Sequence, residues 1–296
     1  HYNWVQSVNT RYMWMKGGLW CGQVQRYDMK TRKMTVFTAR DGLPLTNNGV
    51  ERMVASDDDK CLIMLERKQT LFLYSEKTGW RSLPPLDKIH TVKDIAFDSD
   101  GAVIALTADE SRGRRSTSCR VFSLKKGKWR QERHADLPGV SAIVPFAKAY
   151  VIKSYDGESK LFSVDKSSER EPVELKYKHF DENRLKYFRL NGKTYLATPT
   201  RMVHPKLPRY PGVRIMETLR EVTPNGVIQT PMKSPQLLDL KTGTFKPISV
   251  SVLSERKISC TVTGIKTFEL DVRKTSSLFP IRDSNGGLWL ADRMNI

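Results

Sequence analysis

Three histidines, His90, His134 and His179, recur at spacings of 44 and 45 residues, a regularity that a repeating fold converts into proximity. Imidazoles gathered at one opening could ligate a metal, or serve as acid and base near neutral pH. Their offsets from the following apolar run differ, however, and no carboxylate recurs with them, so capping or surface roles compete with chemistry. Two basic stretches offer a second possibility. Arg112, Arg114 and Arg115 lie within residues 109–118, and Arg201, His204, Lys206, Arg209, Tyr210 and Arg214 lie within a Pro-rich basic span at 199–235. Arginine forks bind carboxylate, sulfate or phosphate in bidentate geometry, and a nearby aromatic ring stacks on a sugar or base face. The plainer alternative is a pair of solvated loops with mobile side chains.

No nucleophile stands in a prepared setting. The nucleophile elbow, the zinc-protease helix and the phosphate-cradling loop are all missing from the sequence, so no catalytic residue is assigned and no cofactor is expected. Asp57-Asp58-Asp59 and Asp98-Ser99-Asp100-Gly101 lack the spacing of a calcium loop and read as turns. Cys21, Cys61, Cys119 and Cys260 are far apart, which excludes a zinc ribbon or a C-x-x-C redox pair and favours small buried hydrophobes. Fifty Lys and Arg against 32 Asp and Glu leave a net charge of +18, attractive to anionic partners without choosing among acidic glycan, phosphate and nucleic acid. No apolar run approaches the roughly twenty residues that cross a bilayer. The chain opens on His1 rather than Met, as expected of a portion of a longer product.

The elements that must position these residues repeat. Val50, Val92, Val140 and about Leu185 open successive inner strands at spacings of 42, 48 and 45 residues, the period of propeller blades. Within each unit the alternation is two-fold, as in Leu71-Phe72-Leu73-Tyr74 and Val121-Phe122-Ser123-Leu124, and no amphipathic helix stands out. Tight turns close the outer hairpins at 27–33, 75–80, 124–129 and 239–245. The expected fold is an all-β propeller of four-stranded antiparallel blades filling residues 1–296 as a single domain. Roughly six blades are expected, with five to seven allowed because 199–275 parses poorly. The terminal strands at 277–283 and 288–292 are expected to pair with outer strands at 19–28 and 34–38, closing the ring.

Phe37-Thr38-Ala39-Arg40-Asp41-Gly42-Leu43-Pro44, the Asp57-Asp58-Asp59 turn and Asp283-Ser284-Asn285-Gly286-Gly287-Leu288-Trp289-Leu290 resemble the two-component regulator propeller repeat. Gly17-Gly18-Leu19-Trp20 is a related piece, whereas Lys60 stands where the turn glycine belongs and Leu137-Pro138 lacks its preceding Gly. The resemblance implies a periplasmic or extracellular sensor domain that recognises oligosaccharides, and it assigns no binding residue.

In such a meander the turns between first and second and between third and fourth strands share one rim. The second-to-third connections and the links to the next blade share the other, where both basic stretches and all three histidines are expected. The leading expectation is a non-catalytic recognition propeller for an acidic oligosaccharide or other anion. Two alternatives accompany it: a lyase-like propeller using loop histidines, similar in architecture to streptogramin lyases, and a scaffold for protein or nucleic acid.

Overall fold

The computed structural model describes residues 4–8, 11–16, 23–45, 49–56, 58–65, 69–86, 90–109, 117–175, 186–190, 193–201, 214–227, 236–239, 242, 244–254, 257–264, 267–271, 278–282 and 288–292. Strands dominate. The first sheet is β1 (Trp4–Val8), β2 (Tyr12–Lys16), β3 (Val24–Asp28) and β4 (Lys33–Phe37). The second is β5 (Val50–Ala55), β6 (Cys61–Leu65), β7 (Leu71–Ser75) and β8 (Gly79–Ser82). The third is β9 (His90–Phe97), β10 (Val103–Asp109), β11 (Cys119–Lys125) and β12 (Lys128–Ala135). The fourth is β13 (Ala142–Pro145), β14 (Ala149–Asp156), β15 (Glu158–Asp165) and β16 (Val173–Leu175). The fifth is β17 (Lys186–Leu190), β18 (Lys193–Arg201), β19 (Arg214–Thr223) and β20 (Gly226–Val227). All five are antiparallel meanders in chain order.

The sixth sheet departs from this pattern. It joins β21 (Gln236–Asp239), β22 (Thr244–Ser254), β23 (Lys257–Val262), β24 (Phe268–Asp271), β25 (Leu278–Arg282) and β26 (Leu288–Asp292) in the order β24-β23-β22-β21-β25-β26. Within it β21 and β25 run parallel, Leu238 opposite Ile281. The terminal strands therefore pair with β21 and not with the first sheet, which corrects the expected shared blade. The physical reason lies in residues 4–16: β1 and β2, rich in Trp, Tyr, Met and Val, supply an inner pair of their own, and β26 lies against β1 without joining its sheet. Strands β19 and β20 also interrupt the 199–235 span, so its insertion narrows to 202–213.

Side-chain alternation shows how the sheets stack. Every residue of β6 is buried, but its two faces serve different neighbours. Cys61, Ile63 and Leu65 pack with Tyr12, Trp14 and Val24 of the first sheet, while Leu62 and Met64 pack with Val92, Ile95 and Val103 of the third. Ile104 and Leu106 then meet Ile143 and Ile152 of the fourth, and Val151 and Leu161 of the fourth meet Val222 of the fifth. Strands buried on both faces read as continuous apolar runs, which explains Cys61-Leu62-Ile63-Met64-Leu65. The first strands β1, β5, β9 and β13 neighbour one another in turn, so they form the inner wall.

Between the first two sheets the core is aromatic. Trp14 stacks on Phe37 at 5.8 Å and meets Tyr74 and Trp80 edge-on at 5.4 and 6.0 Å. The Arg26 guanidinium lies 4.2 Å from the Tyr12 ring centre and 5.2 Å from that of Tyr74. It reaches Glu76 Oε1 at 3.1 Å, which also accepts from the Tyr12 hydroxyl at 2.6 Å. The Tyr12 hydrogen bond, opposed by some desolvation and helped by Arg26 and Arg11, holds the Glu76 carboxyl below its ordinary range. The Asp-Gly-Leu-Pro connection is legible here too. Asp41 accepts from the Thr38 amide at 2.7 Å, Gly42 turns the chain at φ 89°, and Leu43 drops fully buried into the same core.

Cys61, Cys119 and Cys260 are buried free thiols, as expected of small hydrophobes, whereas Cys21 lies outside the described residues. Burial pushes the Cys260 thiol up to about 11 and, with the carboxylates Asp109 and Asp136 adding to it, that of Cys119 up to about 12. Among the described residues no helix is long and apolar enough to cross a membrane.

Candidate functional site

The two basic stretches enter the fold at equivalent places. Residues 110–118 connect β10 to β11, and residues 202–213 connect β18 to β19; both are second-to-third strand connections, so both leave the same rim. Arg112, Arg114, Arg115, His204, Lys206, Arg209, Tyr210 and His179 lie outside the described residues. The backbone places Arg201 and Arg214 as directly paired positions at the mouth of the second connection, next to a bulge.

The mouth of the first connection is built from described side chains. Asp109 ends β10 and its Oδ2 accepts from Ser118 Oγ at 2.9 Å and from Arg120 Nη2 at 3.1 Å. Its amide donates to the Ser118 carbonyl at 3.3 Å, and Thr107 Oγ1 donates to the Arg120 carbonyl at 3.3 Å. One carboxylate thus ties both stems of the connection and fixes where it leaves the sheet. In sequence Asp109 opens the basic stretch and Arg120 lies two residues past its end, with no pattern of spacing that joins them.

Of the histidines, His90 and His134 are placed by the structure, and they stand apart. His90 is the first residue of β9, on the inner edge of the third sheet, and His134 lies in β12, on its outer edge. The sequence expectation put both in connections between blades; instead each lies within a strand. They are near the same end of the sheet but three strand spacings, roughly 14 Å, apart. The His134 side chain is half exposed, with Nε2 3.8 Å from the exposed Asp136 carboxylate. Among the described residues no group of three or more His, Cys, Asp or Glu is placed to hold a metal ion. His134→Ala is therefore expected to change stability by less than about 0.5 kcal/mol, as is usual for an exposed substitution; a urea titration checks this.

An inner-wall constellation went unpredicted. In each of the first three sheets the first strand carries one extra residue, Gln6, Glu51 or Lys93, which shifts its register against the second strand. Such bulges bend the strand and re-aim the following side chain. The residues after them are Ser7, Arg52 and Asp94. Asp94 is buried; its Oδ1 lies 3.3 Å from Arg52 Nε of the preceding sheet, and its Oδ2 accepts from the Ile143 amide of the following sheet at 2.9 Å. One carboxylate so links β5, β9 and β13. Burial pushes its pKa up to about 6, despite Arg52 and the Ile143 and Ile95 amides, which favour the charged form. The signal was available in Val92-Lys93-Asp94-Ile95-Ala96-Phe97, where a charge interrupts an otherwise apolar inner strand. Two further contacts brace the same wall: Lys16 Nζ donates to the Val50 carbonyl at 2.8 Å, and Gln69 Oε1 accepts from the Val92 amide at 2.9 Å.

Comparison with solved structures places this architecture among the β-propellers. A virginiamycin B lyase from Staphylococcus aureus superposes over 98% of this chain and 92% of its own, at 12% identity and a TM-score of 0.53. A catalytically inactive form of that enzyme with quinupristin gives the same coverage and score. A gluconolactonase from Xanthomonas campestris covers 88% of this chain and 84% of its own, at 8% identity and a TM-score of 0.48. Likeness at this identity is likeness of fold. No family model and no curated protein matches the chain.

Proposed function

We propose that this chain is a non-catalytic recognition propeller that takes up an anionic ligand, an acidic oligosaccharide foremost, on the rim carrying its 110–118 and 202–213 connections. The observation that carries the reading is topological. Two separately placed basic stretches occupy the same kind of connection, so a single ligand can meet Arg112, Arg114 and Arg115 from one sheet and the arginines flanking 202–213 from another. The net charge of +18 raises the local concentration of any such ligand. In this reading the six sheets are the blades of one ring, with the first and last adjoining. The domain belongs with the two-component regulator propellers and works as an extracytoplasmic sensor within a longer protein. Histidine-based lyase chemistry is the weaker reading, because His90 and His134 occupy opposite edges of one sheet.

The test is retention on a sulfated-glycan column across a salt series, with a neutral-glycan column and a DNA column alongside. Replacing Arg112, Arg114 and Arg115 together by alanine is expected to lower the slope of log affinity against log salt by about two, since each lost ionic contact releases fewer counterions. Unchanged elution of the triple variant, or equal retention on neutral sugar, would sink the proposal; tighter retention on DNA would replace the glycan with nucleic acid.

A further inference from the structure

We propose that Asp94 and Arg52 form a proton-operated latch on the inner wall: a proton taken up by Asp94 breaks its pair with Arg52, leaving an uncompensated cation among the innermost strands. That extra charge strengthens the hold of the adjoining surface on anions. The second statement rests on the anion-binding reading above; the first does not.

The geometry supplies both halves. Arg52 and Asp94 follow equivalent bulges in neighbouring sheets, so the ring brings together side chains 42 residues apart in sequence. Around Asp94, β5 contributes Arg52 with Glu51 beside it at the bulge, and β9 itself contributes Lys93 immediately before it. Strand β13 contributes the Ile143 amide, and β10 places apolar Leu106 opposite. The charged form is therefore sustained chiefly by Arg52 and by backbone amides, in a setting whose burial disfavours charge. When the proton arrives on Oδ1, the attraction to Arg52 Nε is lost. Oδ2 still faces the Ile143 amide but accepts more weakly, because a hydrogen bond to a carboxylate is roughly twice as strong as one to a neutral acceptor. Arg52 keeps its bond from Nη1 to the Glu51 carbonyl at 3.3 Å and so stays on the wall as a cation.

The experiment is a carbon-13 NMR titration of the aspartate carboxyl groups, with the Asp94 signal assigned by its loss in Asp94→Asn. It is read beside the Ile143 amide proton shift at pH 7 and pH 5. The expected results are a midpoint near 6, a further rise in Arg52→Met, and an upfield move of the Ile143 amide proton at pH 5 that is already present at pH 7 in Asp94→Asn. A midpoint in the ordinary aspartate range, or an Ile143 amide shift equal at both pH values, overturns the latch. For the second statement, wild type should gain more sulfated-glycan retention between pH 7 and pH 5 than Asp94→Asn, a difference in which the histidines cancel. Equal gains overturn that statement. No retention of either protein at either pH overturns it together with the anion-binding reading, while the NMR result still decides the latch.

Discussion

Asp94→Ala is expected to lower the free energy of unfolding at pH 7 by about 3 kcal/mol, measured by urea denaturation. Three consequences add. The buried Ile143 amide loses its acceptor, Arg52 loses its partner, and the inner strands β5, β9 and β13 lose a side chain that bonds across all three. Removing one member of a buried pair costs more than the pair itself contributes, because the other member stays desolvated. Asp94→Asn should cost less, since an amide oxygen can still accept from Ile143.

The same residue sets the sign of a pH effect. Its folded pKa, pushed up to about 6, lies above the ordinary value of 3.8 expected of the unfolded chain. Between those values the folded state holds more protons than the unfolded state, so the contribution of Asp94 to stability falls as pH rises from about 4 to about 6. Asp94→Asn should remove that slope from a plot of stability against pH. A slope of equal size in the variant would show that other groups carry it.

Trp14→Ala is expected to cost about 4 kcal/mol by the same measurement, the range for truncating a large buried aromatic. Trp14 is fully buried and touches aromatic rings from β2, β4, β7 and β8, so its loss opens a cavity shared by the first two sheets. Rigid rings held by two sheets cannot collapse into the gap without moving the strands. Its indole nitrogen is buried and finds no hydrogen-bond partner among the described residues, so Trp14→Phe should cost about half as much, losing area but no hydrogen bond. An equal cost for both variants would place the effect in something other than packed volume.

Much of the scaffold was legible because local chemistry and fold agree. Turn residues marked the hairpins at 27–33, 75–80 and 124–129, and β5 begins at Val50 as expected. Strands β9, β13 and β17 begin at His90, Ala142 and Lys186, within two residues of the expected starts. The stretch from 199 to 275 stayed opaque for a reason the sixth sheet makes plain. Its strand order departs from chain order, and a parallel pairing between β21 and β25 leaves no local signature. The inner pair β1 and β2 was missed because aromatic and Met-rich segments at the start carry no glycine-marked turn.

By itself the sequence determined a repeating all-β chain and the kind of residue at each turn. These follow from periodicity and backbone preference, which act over a few neighbouring residues. Only the tertiary structure decided that Arg52, Asp94 and the Ile143 amide meet, that Trp14 and Arg26 share one aromatic core with Tyr74, and that His90 and His134 stand apart. Those outcomes depend on which sheet face meets which, and on single-residue bulges that re-aim a side chain; neither is written in the spacing of residues along the chain.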